Sequence, residues 1–252
     1  MKTLSKLIEK IEGNKEYYVQ NKKKILKQFE SLVKVVKEIV TPNYNTVVIE
    51  DITKHAYYEL ENLLPRLPYV GGDKSPFTSL MIQSAETLAF YKACKSFDLS
   101  EREMGKLIYE IAERYTQSIP SLKKWLYRRA IFSKKMKNYW RNWLIESKKD
   151  LYPENWVGDF VESDNKSFNY GFNFTECGWL KLVDRENAGE IARYACLCDY
   201  ARMRVLGIGF KRTITLAAGA DMCDFRFIKD YQTPSGWPPE GLEECKVPNK
   251  EK

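Results

Sequence analysis

The sequence predicts an α+β fold: a largely helical N-terminal half followed by a strand–helix–helix–β-hairpin C-terminal half. Three observations predict it. Apolar residues recur at helical spacing through most of residues 1–150. Strict alternation replaces that spacing at Phe168, Tyr170, Phe172 and Phe174, with Asn169, Gly171 and Asn173 between them. Two short apolar runs, 210–217 and 222–228, flank Ala218-Gly219-Ala220-Asp221, the composition of a hairpin.

Residues 3–40 read as one or two amphipathic helices, with Leu4, Leu7, Ile8 and Ile11, then Ile25, Phe29, Leu32, Val33, Val36 and Ile39 on the apolar side. Pro42 and Asn43 end the second of these. Residues 46–64 continue as a helix until Pro65 and Pro68 break it, and Pro68 to Pro76 is a loop rich in turn residues. A helix over 77–97 follows. Ser100 and Glu103 then form a capping box for a helix reaching about Gln117, because each side chain can bond the other's backbone N–H. Residues 121–149 form a basic helical region. After Pro153 comes the strand at 168–174, then a helix beginning at Cys177. A longer helix over about 188–206 is stopped by Gly207 or Gly209, since glycine takes the left-handed conformation that closes a helix. The organisation is thus a helical region over 1–150, an α+β region over 151–230 that carries the site, and an irregular proline-containing tail over 231–252.

A chain of 252 residues, 44% hydrophobic and 30% charged, has the make-up of a globular protein long enough to bury a core. No apolar run approaches the roughly 20 residues that cross a bilayer, and the charged N-terminus lacks a secretory signal, so a cytoplasmic protein is expected. The net charge of +7 is concentrated between Lys123 and Lys149, where Glu146 is the one acidic residue and Trp125, Tyr127, Tyr139, Trp140 and Trp143 are interleaved. That stretch reads first as a solvated helix with tryptophans inward and lysines outward. Drawing in an anionic substrate is the next reading. Nucleic acid or membrane binding ranks last, because no recognised motif accompanies the charge.

Six cysteines at irregular spacing do not form a disulfide framework. Cys177, Cys196, Cys198 and Cys223 could supply four thiolates to a metal, but their spacing lacks the paired knuckles of structural zinc sites. No metal and no cofactor are therefore expected.

Polar chemistry is densest in the last third. Cys177 lies at a strand-to-helix junction, where free N–H groups and the helix dipole favour a thiolate, while the adjacent Glu176 and the lack of a histidine nearby in sequence argue against one. The single histidine, His55, reads as a surface or packing residue. A Cys–His pair or a serine triad would need the helical half to bring it over the site. In the hairpin, Cys223, Phe225 and Phe227 share one strand face, and Asp224 and Arg226 share the other. A carboxylate beside a guanidinium suits either the recognition of a small charged molecule or a structural cross-strand network. Asp221 can also simply cap the turn.

Thr175-Glu176-Cys177-Gly178, Cys196-Leu197-Cys198-Asp199-Tyr200, Leu206-Gly207, Arg212 to Gly219, and Asp221-Met222-Cys223-Asp224-Phe225-Arg226-Phe227 occur in the order and spacing of a known family. The chain resembles the L-2-amino-thiazoline-4-carboxylic acid hydrolases, most densely over 155–229. It departs from them at Ala220, where a second glycine is common, and at Cys198, where a small residue is usual. The resemblance implies opening of a cyclic isothiourea carboxylate at a C–N bond. On that reading Cys177 is nucleophile or water activator, and Asp224, Asp199 or Asp221 is acid/base or amidine ligand. Arg212 and Arg226 are anion clamps, with Thr213, Thr215 and Cys223 completing the substrate site. The expected partner is a small anionic or zwitterionic substrate, with no nucleic acid and no membrane; the aromatic-rich helices are consistent with a homodimer. The alternatives are a non-catalytic small-ligand binding or sensing domain of the same fold, and an interaction protein working through its basic helix.

Overall fold

The computed structural model describes residues 16–40, 46–97, 99–149 and 151–246. The apolar positions Leu4 to Ile11, the stop signal at Pro42 and Asn43, and the last residues of the tail lie outside the described residues. The N-terminal half is helical: α1 (Tyr17–Gln20), α2 (Lys22–Val40), α3 (Thr46–Leu63), α4 (Pro76–Cys94), α5 (Glu101–Gln117), α6 (Ser121–Ile131) and α7 (Lys134–Ser147). Ile25, Phe29, Val33 and Val36 give α2 the buried stripe its sequence spacing predicts. Helix α4 is the central one. Phe77, Met81, Ala85, Leu88 and Ala89 are fully buried along it, each large side chain contributing about 1.5–3 kcal/mol. Its start is fixed by Pro76 in the first turn and by Ser75, whose Oγ accepts the Phe77 N–H at 3.2 Å. The capping box forms as expected: Ser100 Oγ accepts the Glu103 N–H, and Glu103 Oε2 accepts the Ser100 N–H at 2.9 Å.

The basic region is two helices rather than one. Ser133 begins the second by accepting the Met136 N–H, which breaks the run at Phe132. Trp140 on α7 turns inward against Phe77 and Phe172, whereas Trp125 on α6 is 43% exposed beneath the Arg129 guanidinium. Among the described residues, no helix is long and apolar enough to cross a membrane.

The C-terminal half holds β1 (Val157–Glu162), β2 (Tyr170–Glu176), α8 (Gly178–Arg185), α9 (Ala192–Cys196), α10 (Cys198–Leu206), β3 (Gly209–Lys211) and β4 (Cys223–Ile228). The strands form one antiparallel sheet in the order β1-β2-β4-β3. Strand β1 has no counterpart in the sequence expectations, because Val157, Gly158 and the Phe160-Val161 pair do not alternate. Tyr170, Phe172 and Phe174 of β2 pair with Phe227, Phe225 and Cys223 of β4 and make an aromatic face. Tyr170 stacks on Phe227 at 4.8 Å and Trp140 meets Phe172 at 5.2 Å, pairs worth about 0.5–1.5 kcal/mol each beyond their buried area. On the opposite face Gly171 leaves room for the Arg226 side chain. A Cβ there would lie 2.3 Å from the Phe225 carbonyl oxygen.

Two expectations are corrected. The helix over 188–206 is interrupted at Leu197, dividing it into α9 and α10; Gly207, at φ +68°, ends α10 as expected. The strand over 210–217 stops at Lys211. Just past it the Asp224 side chain holds the backbone: its Oδ1 accepts the Thr213 and Ile214 N–H groups at 2.7 and 2.8 Å, and its Oδ2 accepts the Thr213 hydroxyl at 2.6 Å. A side chain thereby takes donors that regular strand pairing would have left to the backbone or to water, while the Asp224 N–H still donates to the Ile214 carbonyl at 3.3 Å. The chain then turns through a 3-10 segment, Leu216–Ala218, closed by Gly219 at φ +89°.

Candidate active site

Three junctions bring the chemistry together. Strand β2 runs directly into α8, and Cys177 is the residue that caps that helix. The break between α9 and α10 turns Cys196, Cys198 and Asp199 inward. Strands β3 and β4 deliver Arg212 and Cys223. These six side chains line one cavity of about 260 Å³, with Trp156, Phe172, Phe174, Trp179 and Phe225 among its aromatic walls.

The polar centre is Arg212, about 1% exposed. Its Nη1 donates to Asp199 Oδ2 at 2.9 Å, and its Nη2 donates to Glu244 Oε1 at 2.8 Å and to the Cys196 carbonyl at 3.0 Å; its Nε also donates to Glu244. Burial alone would lower its pKa, but the bonds and charges of Glu244 and then Asp199 carry it well above the ordinary value. The guanidinium is therefore occupied by the protein itself. Asp199 is 29% exposed on its side chain, and its Oδ1 has no partner among the described residues. Glu244 comes from the tail, where Tyr200 Oη also reaches it at 3.0 Å.

The thiols are not poised as thiolates. Cys177 sits at the helix start as the sequence predicts, but burial pushes its thiol up to about 11, outweighing the Leu180 and Trp179 N–H groups that favour the anion. Burial likewise raises Cys198 to about 12 and Cys196 well above the usual thiol range. Cys223 is raised by burial, opposed by Thr215 Oγ1 and the Leu216 N–H, each 3.2 Å from its sulfur. The expectation of a lowered pKa at Cys177 is thus reversed by desolvation. Among the described residues no cluster of three or more His, Cys, Asp or Glu side chains is arranged to hold a metal ion.

The remaining expected residues lie elsewhere. Asp224 and Thr213 are bonded to each other and hold the loop after β3. Thr215 is buried behind Cys223, and Asp221 is exposed at the turn. Arg226 donates to Asn173 Oδ1 at 2.9 Å and to the Phe172 and Phe225 carbonyls, on the sheet face away from the cavity. No Asp224–Arg226 ion pair forms among the described residues. His55 is exposed on α3 and does not line the cavity, which removes the Cys–His pair and the serine triad.

Two residues escaped the sequence reading. Arg202 lines the cavity and makes no hydrogen bond or ion pair with any described residue. Its place three residues after Asp199 and four after Cys198 puts it on their helix face, a spacing that could have revealed it. Glu244 carried no such signal, because its pairing with Arg212 crosses 32 residues of chain.

A model of the L-2-amino-thiazoline-4-carboxylic acid hydrolase family matches residues 81–227, more than half of the chain. The chain belongs to that family. The matched span contains α5 to α10 and every cavity residue named above; Glu244, which bonds Arg212, lies beyond it. No curated protein and no solved structure matches the chain.

Proposed function

We propose that this member of the L-2-amino-thiazoline-4-carboxylic acid hydrolase family opens a small cyclic amidine or isothiourea carboxylate at a ring C–N bond, with an activated water as nucleophile. Asp199 carries the reading. One of its oxygens is held by a buried arginine, and the other, at the cavity wall, has no partner among the described residues. A carboxylate fixed in this way can accept a proton from water or an amidine N–H. Arg202 is the cavity cation left to grip the substrate carboxylate, a role for which Arg212 is already saturated.

In the proposed reaction Asp199 takes a proton from water as the water oxygen bonds to the amidine carbon. The ring C–N bond then breaks, its electron pair going to the ring nitrogen. Both water hydrogens end on that nitrogen, which leaves as an amine, and the exocyclic nitrogen stays on the new carbamoyl group. Cys177 and Cys223, protonated at neutral pH, pack around the ring.

The test is incubation of the purified protein with 2-amino-thiazoline-4-carboxylate and related cyclic amidines, the product being followed by mass spectrometry. Product gaining one water from wild type and Cys177→Ala, but not from Asp199→Asn, is expected. Full activity in Asp199→Asn overturns the water mechanism, and loss in Cys177→Ala alone shifts the chemistry to a covalent thiol route. A second reading is ligand binding without turnover, which needs no activated thiol, and burial raises the pKa of all four cavity thiols. That reading replaces the first if no substrate is turned over while a ligand stays bound.

A further inference from the structure

A second cavity, about 430 Å³, lies among α2, α4, α5, α6 and α10. It shares Gln83, Thr87, Tyr127, Cys198 and Arg202 with the thiol cavity, so the two meet at one wall. Its lining is mainly aliphatic, including Leu32, Ile108, Ile111 and Leu206. Into this setting α4 places Glu86, which is 4% exposed. Gln28 Nε2 donates to its Oε2 at 3.2 Å, and its Oε1 has no partner among the described residues. A buried carboxyl left half-satisfied costs stability that an apolar side chain would not. The feature is explained if a ligand supplies the missing donor.

The second cavity by itself passes the roughly 300 Å³ that encloses an organic ligand, and the thiol cavity adjoins it, so the two together leave room for a ring and a long arm. We propose that the substrate is an elongated carboxylate that spans both cavities. Its reactive ring sits beside Asp199, its carboxylate on Arg202 at the shared wall, and an apolar arm bearing an N–H or O–H lies against Glu86 Oε1. This rests on the hydrolase reading and narrows it. The substrate is a cyclic amidine acid with an acylamino or hydroxylated aliphatic substituent rather than the bare ring. Burial, which pushes Glu86 up to about 7 against the opposing Gln28 bond and Arg202 charge, is consistent with a carboxyl waiting for a neutral polar partner.

The experiment uses N-hexanoylglycine, which has the carboxylate, arm and N–H, and its ester analogue O-hexanoylglycolate, which keeps the carbonyl and lacks only the N–H. Both are titrated calorimetrically into wild type, Glu86→Gln and Glu86→Leu, and tested as inhibitors of 2-amino-thiazoline-4-carboxylate binding. Wild type should prefer N-hexanoylglycine by about tenfold, the worth of one good hydrogen bond to a buried carboxyl. Glu86→Gln, which keeps an acceptor oxygen, should retain most of that preference, and Glu86→Leu should lose it. N-hexanoylglycine should compete with the thiazoline, because both need Arg202. The proposal is overturned if wild type shows no preference, if the preference survives in Glu86→Leu, or if both molecules bind together without interference. The expected pattern in a protein that turns over no cyclic amidine would support the arm pocket and overturn only the hydrolase reading.

Discussion

Arg212 and Glu244 form a doubly bonded ion pair with each side chain about 1% exposed, so the tail is tied to the centre of the candidate site. The pair also explains why Arg212 keeps a fixed position: Glu244 holds one edge of its guanidinium while Asp199 takes the other. A segment without α-helix or strand thus orients the residue on which the proposed base depends.

Removing Glu244 should therefore destabilise the fold as well as the site. Glu244→Ala leaves a buried guanidinium short of its main counter-charge, a loss of about 3–5 kcal/mol. Urea unfolding should show a lower midpoint, and Glu244→Gln, which keeps hydrogen-bonding atoms, should fall between the two. A midpoint unchanged in Glu244→Ala would show that the pair is not formed in solution.

Turnover should depend on Asp199 far more than on Cys177. Loss of a general base typically costs about 100- to 10,000-fold, so Asp199→Asn should lower kcat by at least the smaller factor. Cys177→Ala should stay within a few-fold of wild type. Alkylation of Cys177 by iodoacetamide should be slow at pH 7 and accelerate as the pH approaches about 11, read by peptide mass spectrometry.

Glu86 should give stability a particular pH dependence. Its folded pKa is raised from 4.5 to about 7 by burial, so the folded state binds its proton more tightly than the unfolded chain does. The groups around it are Gln28 on α2, Tyr115 on α5, Lys123 on α6 and Arg202 on α10. This contribution is fully present below about pH 4.5 and is lost as the pH rises through about 7, some 3 kcal/mol in all. Denaturant unfolding of wild type and Glu86→Gln across that window should show the slope in the first and its absence in the second.

Asp224 should matter for the loop rather than for the chemical step. Asp224→Ala frees the Thr213 and Ile214 N–H groups and the Thr213 hydroxyl, a loss of about 1–3 kcal/mol. Hydrogen exchange at those two amides should quicken, while kcat changes less than in Asp199→Asn. A kcat loss equal to that of Asp199→Asn would give Asp224 a direct role.

Much of the fold is legible in the sequence alone. The α2 stripe, the Ser100–Glu103 box, the alternation of β2, the Gly207 stop and the placing of Cys177 at a helix start all follow from local backbone geometry acting on neighbouring residues. The parity of β4 was legible as well: Cys223, Phe225 and Phe227 do share a face. Which face meets the cavity was not, because alternation is symmetric until helices pack against one side. The cavity opens on the cysteine face, away from Asp224 and Arg226.

By itself, then, the sequence determined the α+β class, the family and the strand-to-helix setting of Cys177, all of which depend on spacing and residue type along the chain. Only the tertiary structure decided that Arg212 is saturated by Glu244, Asp199 and the Cys196 carbonyl, that Arg202 has no partner among the described residues, and that the cavity thiols stay protonated. Those outcomes depend on burial and on contacts between residues far apart in sequence, and desolvation at Cys177 outweighs the local helix dipole that argued the other way.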